Sequence, residues 1–245
     1  MTTTSPPPSR LRIDGLGVAF GGLTVLDGVS FTVGDGETVA LIGPNGAGKT
    51  TVFNAVCGLV RPRAGSVRIG GAPAPASATR MLAAGVSRTL QGLGLFERMT
   101  VLENVLVPLS GERGGAAAAD RARAVLDRLG LARAADRPAG ALPYPERKRV
   151  ALARALVTEP ALLLLDEPAG GLGDADIAAL AAVIGEIASS GCSVLLVEHH
   201  VDFVMDVADR VVVLDFGRVI ACGTPGEVRG DAAVEAAYLG LGAAS

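Results

Sequence analysis

The chemistry in this sequence starts with a scarce residue. Of 22 basic side chains in 245 residues, only Lys49 and Lys148 are lysines. Residues 43–50 read GPNGAGKT, which matches G-x-x-x-x-G-K-[ST] between an apolar strand and a helical pattern. Gly43, Asn45, Gly46, Ala47 and Gly48 let the backbone curl around phosphates with several N–H groups pointing inward. The following helix start, with Thr51 in its first turn, adds partial positive charge. Lys49 is expected to hold the β- and γ-phosphates, and Thr50 to offer its hydroxyl to Mg²⁺. A second group lies at 162–168, LLLLDEP, a buried strand ending in two carboxylates. Asp166 is placed to bind Mg²⁺ and Glu167 to polarise an attacking water. The only two histidines, His199 and His200, follow a third apolar strand. His199 is the candidate for reaching a γ-phosphate. Gln91 carries an uncharged amide that suits Mg²⁺ or water, although spacing alone leaves its role open.

These groups need strands that end at one place. Residues 38–42 (TVALI), 162–165 and 193–197 are continuous apolar runs, as expected of parallel strands buried on both faces. A helix over 49–59 and another over about 174–189 make the crossovers. Residues 11–42 alternate and turn often, and Asp27-Gly28 and Asp35-Gly36 read as hairpin signals. Residues 80 to about 158 read as mostly helical, with Ala122, Val125, Leu126 and Leu129 on one stripe and Gly130 as its cap. The stretch 111–119 reads as a loop, residues 1–10 as a disordered tail, and 11–240 as one domain. The expected fold class is α/β: a P-loop NTPase (RecA-like) core, an N-terminal antiparallel β subdomain and an inserted helical subdomain at about 80–158.

Composition narrows the function classes. Apolar residues make up 49% and charged residues 19%, which suits a packed core and excludes a disordered chain. The net charge of −3 offers nothing to a nucleic acid backbone. Mean hydropathy is high at +0.44, yet no apolar run is long enough to span a membrane. Cys57, Cys192 and Cys222 form no paired motif and read as reduced, small core residues. Asp215-Phe216-Gly217 spells a kinase motif but lacks its companions and reads as a hairpin turn. Arg147, Lys148 and Arg149 read as a solvated helix face.

Taken together, these residues resemble the ATP-binding subunits of ABC transporters over about residues 11–240. Phe20 stands at the family's adenine-stacking aromatic and residues 43–50 at its Walker A loop. Gln91 matches the Q-loop glutamine, and residues 162–167 the Walker B strand with its catalytic glutamate. Residues 170–173 fall at the D-loop and His199 at the switch histidine. Leu142, Pro143, Tyr144, Pro145 and Glu146 occupy the signature position, which in the family reaches across a dimer to the partner's ATP. The phrasing of 87–107, 197–217 and 222–228 is similar to the larger ATP-binding subunit of branched-chain amino acid importers. The resemblance implies ATP and Mg²⁺ as cofactors, transmembrane permeases as partners, and a peripheral place on the cytoplasmic face of the membrane. It also implies a second ATP-binding chain, with a heterodimer favoured over a homodimer, and an indirect periplasmic or extracellular solute-binding partner.

The signature departs from the family pattern of Leu-Ser-Gly-Gly-Gln or Leu-Ser-Tyr-Gly-Gln. Pro143 has no hydroxyl and Pro145 no N–H, so two phosphate donors are missing. Pro145 is expected at the first position of the following helix. The family's D-loop aspartate is replaced by Gly173. These changes point to two unequal ATP sites in a heterodimer. The rival readings are a soluble ABC-type ATPase acting on DNA or ribosomes, and a binding-only regulatory subunit. Residues 51–141 are too few for the coiled coil of chromosome-type members, and ribosome-type members usually carry two ATPase units.

Overall fold

A computed structural model describes residues 9–90, 92–111 and 115–239. Two sheets carry the fold. The first is antiparallel. Its long hairpin pairs β1 (Ser9–Phe20) with β2 (Leu23–Gly34) around the Gly21-Gly22 turn. The chain then crosses to the second sheet through β3 (Thr38–Ile42), passes through helix α1 (Lys49–Val56), and returns as β4 (Ala64–Ile69) and the short β5 (Ala72–Pro73). The order in this sheet is β2-β1-β4-β5.

The second sheet holds β3 and five later strands: β6 (Val86–Arg88), β7 (Leu162–Asp166), β8 (Ser193–Val197), β9 (Arg210–Asp215) and β10 (Arg218–Gly223). Its order is β10-β9-β3-β8-β7-β6, parallel except for the β9–β10 hairpin. Between β6 and β7 lie α2 (Val101–Leu106), α3 (Gly115–Arg128) and α4 (Tyr144–Leu156). Helix α5 (Asp174–Ser189) links β7 to β8 and α6 (Val201–Val207) links β8 to β9. Helices α7 (Pro225–Arg229) and α8 (Ala232–Leu239) follow β10.

The parallel strands divide two cores by simple alternation. Val39 and Leu41 of β3 join the core under the antiparallel sheet with Leu162, Leu164, Leu195 and Val197. Ala40 and Ile42 join the core under the helices with Leu163, Leu165, Val194 and Leu196. All of these are buried, which explains the unbroken apolar runs. Truncating one of these leucines to alanine costs about 2–5 kcal/mol.

Several local expectations are corrected. Asp27-Gly28 is no hairpin: it lies inside β2, where two residues oppose Gly17 alone, and Gly28 takes φ 71° as a bulge. Asp35-Gly36 does turn the chain, between the two sheets. The region 80–158 has only short 3₁₀ turns (Ala78–Arg80 and Leu82–Ala84) before Val101, because β6 extends the parallel sheet first. Residues 115–119 are helical, since the alanine run continues into the buried stripe of α3. Gly130 caps that helix at φ 70°. Helix α1 stops at Val56, three residues short of the expected end. Ser9 and Arg10, assigned to the tail, pair in β1; Met1 to Pro8 lie outside the described residues. Cys57 and Cys192 are buried, whereas Cys222 is exposed on the edge strand β10.

Candidate functional site

The site is built at the carboxyl ends of four neighbouring parallel strands: β3, β8, β7 and β6. This is where such sheets place ligands. Leu41 is level with Val197, and Val197 with Asp166, so the residues leaving these strands emerge side by side.

Beyond β3 the chain forms the glycine loop and enters α1 with Gly48 as its cap. Two glycines are obligatory there. A Cβ on Gly43 (φ 149°) would run into the Leu214 carbonyl of β9. One on Gly48 (φ 105°) would sit 2.6 Å from the Leu26 side chain and 3.2 Å from the Val25 carbonyl. The loop is therefore wedged between β2 and β9. The Asp215-Phe216-Gly217 turn braces it, because the Gly217 N–H donates to the Ala47 carbonyl at 3.0 Å. Lys49 is 9% exposed and curls back over the loop, donating to the carbonyls of Gly43 (2.6 Å) and Pro44 (2.9 Å). Burial lowers its pKa, while the nearby Glu167 charge acts to raise it. This puts a cation at the loop with mobile donors that phosphate oxygens can capture from two neutral carbonyls.

The two carboxylates end β7. Burial holds Asp166 above the ordinary carboxylate range. The charge of Glu167 adds to this, Arg88 counters it, and Glu198 adds again. Glu167 adopts φ 47°, a left-handed conformation uncommon for a residue with a side chain. Its N–H donates to the Val197 carbonyl at 2.9 Å, which pins the strained residue to β8. Negative charge is thus in excess at the ends of β7 and β8, and a cation would relieve it. Among the described residues no group of three or more His, Cys, Asp or Glu forms a metal cage. An ion such as Mg²⁺, held by one or two protein oxygens together with phosphates and water, needs only a carboxylate placed as Asp166 is.

Beyond β8 comes a residue that the sequence reading missed. Glu198 is fully buried, and its carboxylate accepts three backbone N–H groups: Ala169 (2.7 Å), His199 (2.8 Å) and His200 (3.0 Å). It ties the turn after Glu167 to the segment carrying the histidines. The signal was present, as an acid immediately after an all-apolar strand has nowhere polar to go except the site. His199 Nδ1 stands 3.9 Å from the Glu167 carboxylate and 3.8 Å from that of Glu198, with 57% of its side chain exposed. The imidazole therefore faces the Glu167 carboxylate with freedom to move.

Lys148 corrects the picture of a solvated basic face. Its ammonium is half-buried and donates to the carbonyls of Glu167 (3.0 Å) and Pro168 (2.7 Å). It also lies 5.6 Å from the centre of the Tyr144 ring. Desolvation lowers its pKa, against the raising effect of Glu198 and Glu167. Helix α4 is thereby fastened to the carboxylate turn of its own chain. Arg147 instead pairs with Glu97 at 2.6 Å.

At the start of α4, Leu142 is buried and Tyr144 exposed. Pro143 is the cap, so Tyr144 holds the first helical position and Pro145 the second, one later than expected. Both prolines fit there because the first N–H groups of a helix have no partner within it. Pro143 still accepts from Arg147 N–H at 3.0 Å through its carbonyl. Phe20 ends β1 at the hairpin tip, 53% exposed, paired with Leu23. The same hairpin supplies Val25 and Leu26 to the floor of the loop. Gln91 lies outside the described residues; its neighbour Thr89 receives the Asp166 N–H at 3.4 Å.

Comparison with known proteins agrees with this geometry. The ABC transporter family model matches residues 26–170, and a branched-chain amino acid ATP-binding cassette transporter model matches residues 218–244. The chain is 40% identical to the high-affinity branched-chain amino acid transport ATP-binding protein LivG of Salmonella typhimurium, covering 94% of this chain and 97% of that protein. It is 38% identical to BraF of Pseudomonas aeruginosa, a protein of the same description, with the same coverage. The lipopolysaccharide export ATP-binding protein LptB of Haemophilus influenzae is 34% identical over 95% of this chain and 98% of its own. Among solved structures, the ADP conformation of the ATP-binding cassette MJ1267 superimposes with a TM-score of 0.86 at 29% identity, covering 95% of this chain and 99% of that one. The chain belongs to the ABC transporter family, as an ATP-binding and ATP-hydrolysing subunit.

Proposed function

We propose that this chain drives uptake of branched-chain amino acids from the cytoplasmic face of the membrane, as a peripheral subunit bound to permeases. The observation that carries the ATPase part is the convergence of the glycine loop, two carboxylates and His199 at the ends of β3, β7 and β8. In this reading residues 43–51 wrap the phosphates, with Lys49 on the β- and γ-oxygens, and Phe20 stacks on the adenine. Glu167 orients and polarises the attacking water, and His199 holds Glu167 and the γ-phosphate in register. Thr50, Asp166 and Gln91 would hold Mg²⁺, which when bound supplies positive charge against that developing on the phosphates. The amino acid part rests on the relatives LivG and BraF and on the matching carboxyl-terminal family model.

Among the described residues no helix is long and apolar enough to cross a membrane, so permeases must provide the path. A cavity of about 390 Å³ between β6, α4 and the segment after α2 suits a permease helix. Leu82, Leu90 and Phe96 expose apolar surface around it, and Arg154 bonds the carbonyls of Leu93 and Gly94 beneath it. A docked helix there rests on Leu90, the residue before Gln91 in the chain, which offers its movement a route to the site. The two prolines favour a second, different ATP-binding chain, whose signature completes the site on this chain's own glycine loop. A separate solute-binding protein outside the membrane delivers the substrate.

The test is uptake of labelled leucine, isoleucine and valine by cells lacking this gene. Loss of uptake, restored by the wild-type chain and not by Lys49→Ala, is the expected result. Unimpaired uptake with intact ATPase activity would overturn the amino acid assignment alone. Purifying Glu167→Gln from membranes in mild detergent with Mg-ATP tests the assembly. Permeases and a second ATP-binding chain should accompany it, and a homodimer would refute the unequal pair.

A further inference from the structure

The acids of the site are served by different cations. Lys49 acts on Glu167, and Lys148 on Glu198 and Glu167. The cation that acts on Asp166 is Arg88, which works against the burial and the two acids that hold Asp166 above the ordinary carboxylate range. The sheet explains this pairing. Arg88 ends β6 and is level with Leu164 of β7 in parallel register. Asp166 follows Leu164 by two residues, so strand alternation turns all three side chains to one face. That face is the core holding Val86, Leu162, Leu164 and Cys57. Strand spacing and the rise of two residues put the Arg88 and Asp166 Cα atoms roughly 8 Å apart, a diagonal within reach of a long side chain. The guanidinium also reaches the Cys57 thiol at the end of α1. The length of α1 sets Cys57 about 12 Å from the phosphate loop, so Arg88 approaches Asp166 from the side away from the phosphates. Arg88 is only partly buried, and it lines the cavity of about 390 Å³ beside β6 together with Leu82, Leu90 and Phe96.

We propose that Arg88 is a positioning residue for the metal: its charge weakens the hold of Asp166 on Mg²⁺, and it carries the state of the cavity to that site. A cation this close to Asp166 competes with the ion for the same negative charge and repels the ion directly. The open cavity admits water, which screens the guanidinium on its wall. An apolar helix that fills the cavity expels that water, lowers the local dielectric and strengthens the field of Arg88 at Asp166. Docking thereby loosens the metal. This second step rests on the permease reading above; the first does not.

The test compares the affinity of the full-length chain for a non-hydrolysable ATP analogue in EDTA and in excess Mg²⁺. The ratio of the two dissociation constants isolates what the metal contributes. Arg88→Met keeps the length and removes the charge, and should raise the ratio several-fold in favour of the metal. Arg88→Lys keeps the charge and should leave the ratio near that of the wild type. Loss of structure alone scales both constants together, so a ratio that is unchanged or lower in Arg88→Met overturns the proposal. In the purified transporter the wild-type ratio should be lower than in the isolated chain by about twofold or more, and this difference should disappear in Arg88→Met. An equal difference in both would place the link to the cavity elsewhere and overturn the second step. Failure to recover permeases with the chain would refute the permease reading and leave the comparison on the chain alone in force.

Discussion

The two ends of this chain's ATP chemistry differ in kind. At the carboxyl ends of the parallel strands three charged residues are held by backbone partners. Lys49 has two carbonyl partners, Glu167 is pinned through its own N–H, and Glu198 collects three backbone donors. At the start of α4 the reverse holds. Pro143 offers no side-chain cap and Pro145 no N–H, leaving the helix dipole and the N–H groups of Tyr144 and Glu146. One end is built to hold a charged substrate rigidly; the other has lost donors while keeping its shape. Lys148 shows that the lost donors have not cut the connection, because it still fastens α4 to the carboxylate turn. The contrast supports the proposed pairing with a different chain, in which the site on this chain's own loop and the site its signature completes would work at different rates.

The comparison breaks first if the rigid end is not the catalytic one. Glu167→Gln keeps the shape and removes the charge proposed to polarise water. ATPase activity should fall by about 100-fold or more, while ATP affinity stays near that of the wild type. Steady-state hydrolysis and nucleotide binding on the same preparation check this. Retained hydrolysis would move catalysis elsewhere. Next comes Glu198, whose place in the contrast is structural. Glu198→Ala leaves three N–H groups without their acceptor, that of Ala169 buried and those of His199 and His200 partly so, at a cost of about 3 kcal/mol and a fall in Tm of roughly 6–12 °C. Scanning calorimetry of the nucleotide-free chain measures it. A change below about 2 °C would show that water replaces the carboxylate freely.

The weak end is tested by restoring it. Pro143→Ser with Pro145→Gly returns a hydroxyl and an N–H to the start of α4. In the assembled transporter, turnover at the site facing these residues should rise several-fold, read as total ATPase activity when the partner chain's own catalytic glutamate is replaced by glutamine. No change would sink the unequal-site reading. A fall in Tm of no more than about 2–4 °C is expected besides, because glycine in the first turn costs about 1 kcal/mol or less.

What could be read from the sequence followed a physical division. The buried strands were legible because their apolar runs must be covered on both faces, as Leu162–Asp166 and Ser193–Val197 are. The glycine loop was legible because Gly43 and Gly48 take conformations and approaches that no other residue allows. The misreadings came where a local signal had two meanings. Asp27-Gly28 suits a hairpin turn and a bulge equally, and only the pairing with β1 chooses. The alanine run at 115–119 looked like low-complexity loop because its helical stripe begins with the small residue Ala118. Lys148 was invisible as a site residue because its partners are backbone atoms, which carry no sequence signature, whereas Glu198 was marked only by its place directly after an all-apolar strand.

The smallest expected effect concerns the tension within the rigid end itself. Burial and the neighbouring charges of Glu167 and Glu198 raise the Asp166 pKa above its ordinary value, so the folded chain binds a proton there more readily than the unfolded chain. Stability therefore falls as pH rises from the ordinary aspartate range through the raised value, and the penalty persists at neutral pH. Asp166→Asn removes it. At pH near 7 the variant should melt above the wild type without nucleotide, and the gain should vanish below about pH 3, where both states carry the proton. The same variant should lose the extra stabilisation that Mg²⁺ adds to ATP, since the charge excess that attracts the ion is gone. A lower Tm at neutral pH would mean that Arg88 outweighs burial and the two acids. The carboxylate turn would then be a stabilising ion pair, and the division between a strained catalytic end and a relaxed signature end would have to be redrawn.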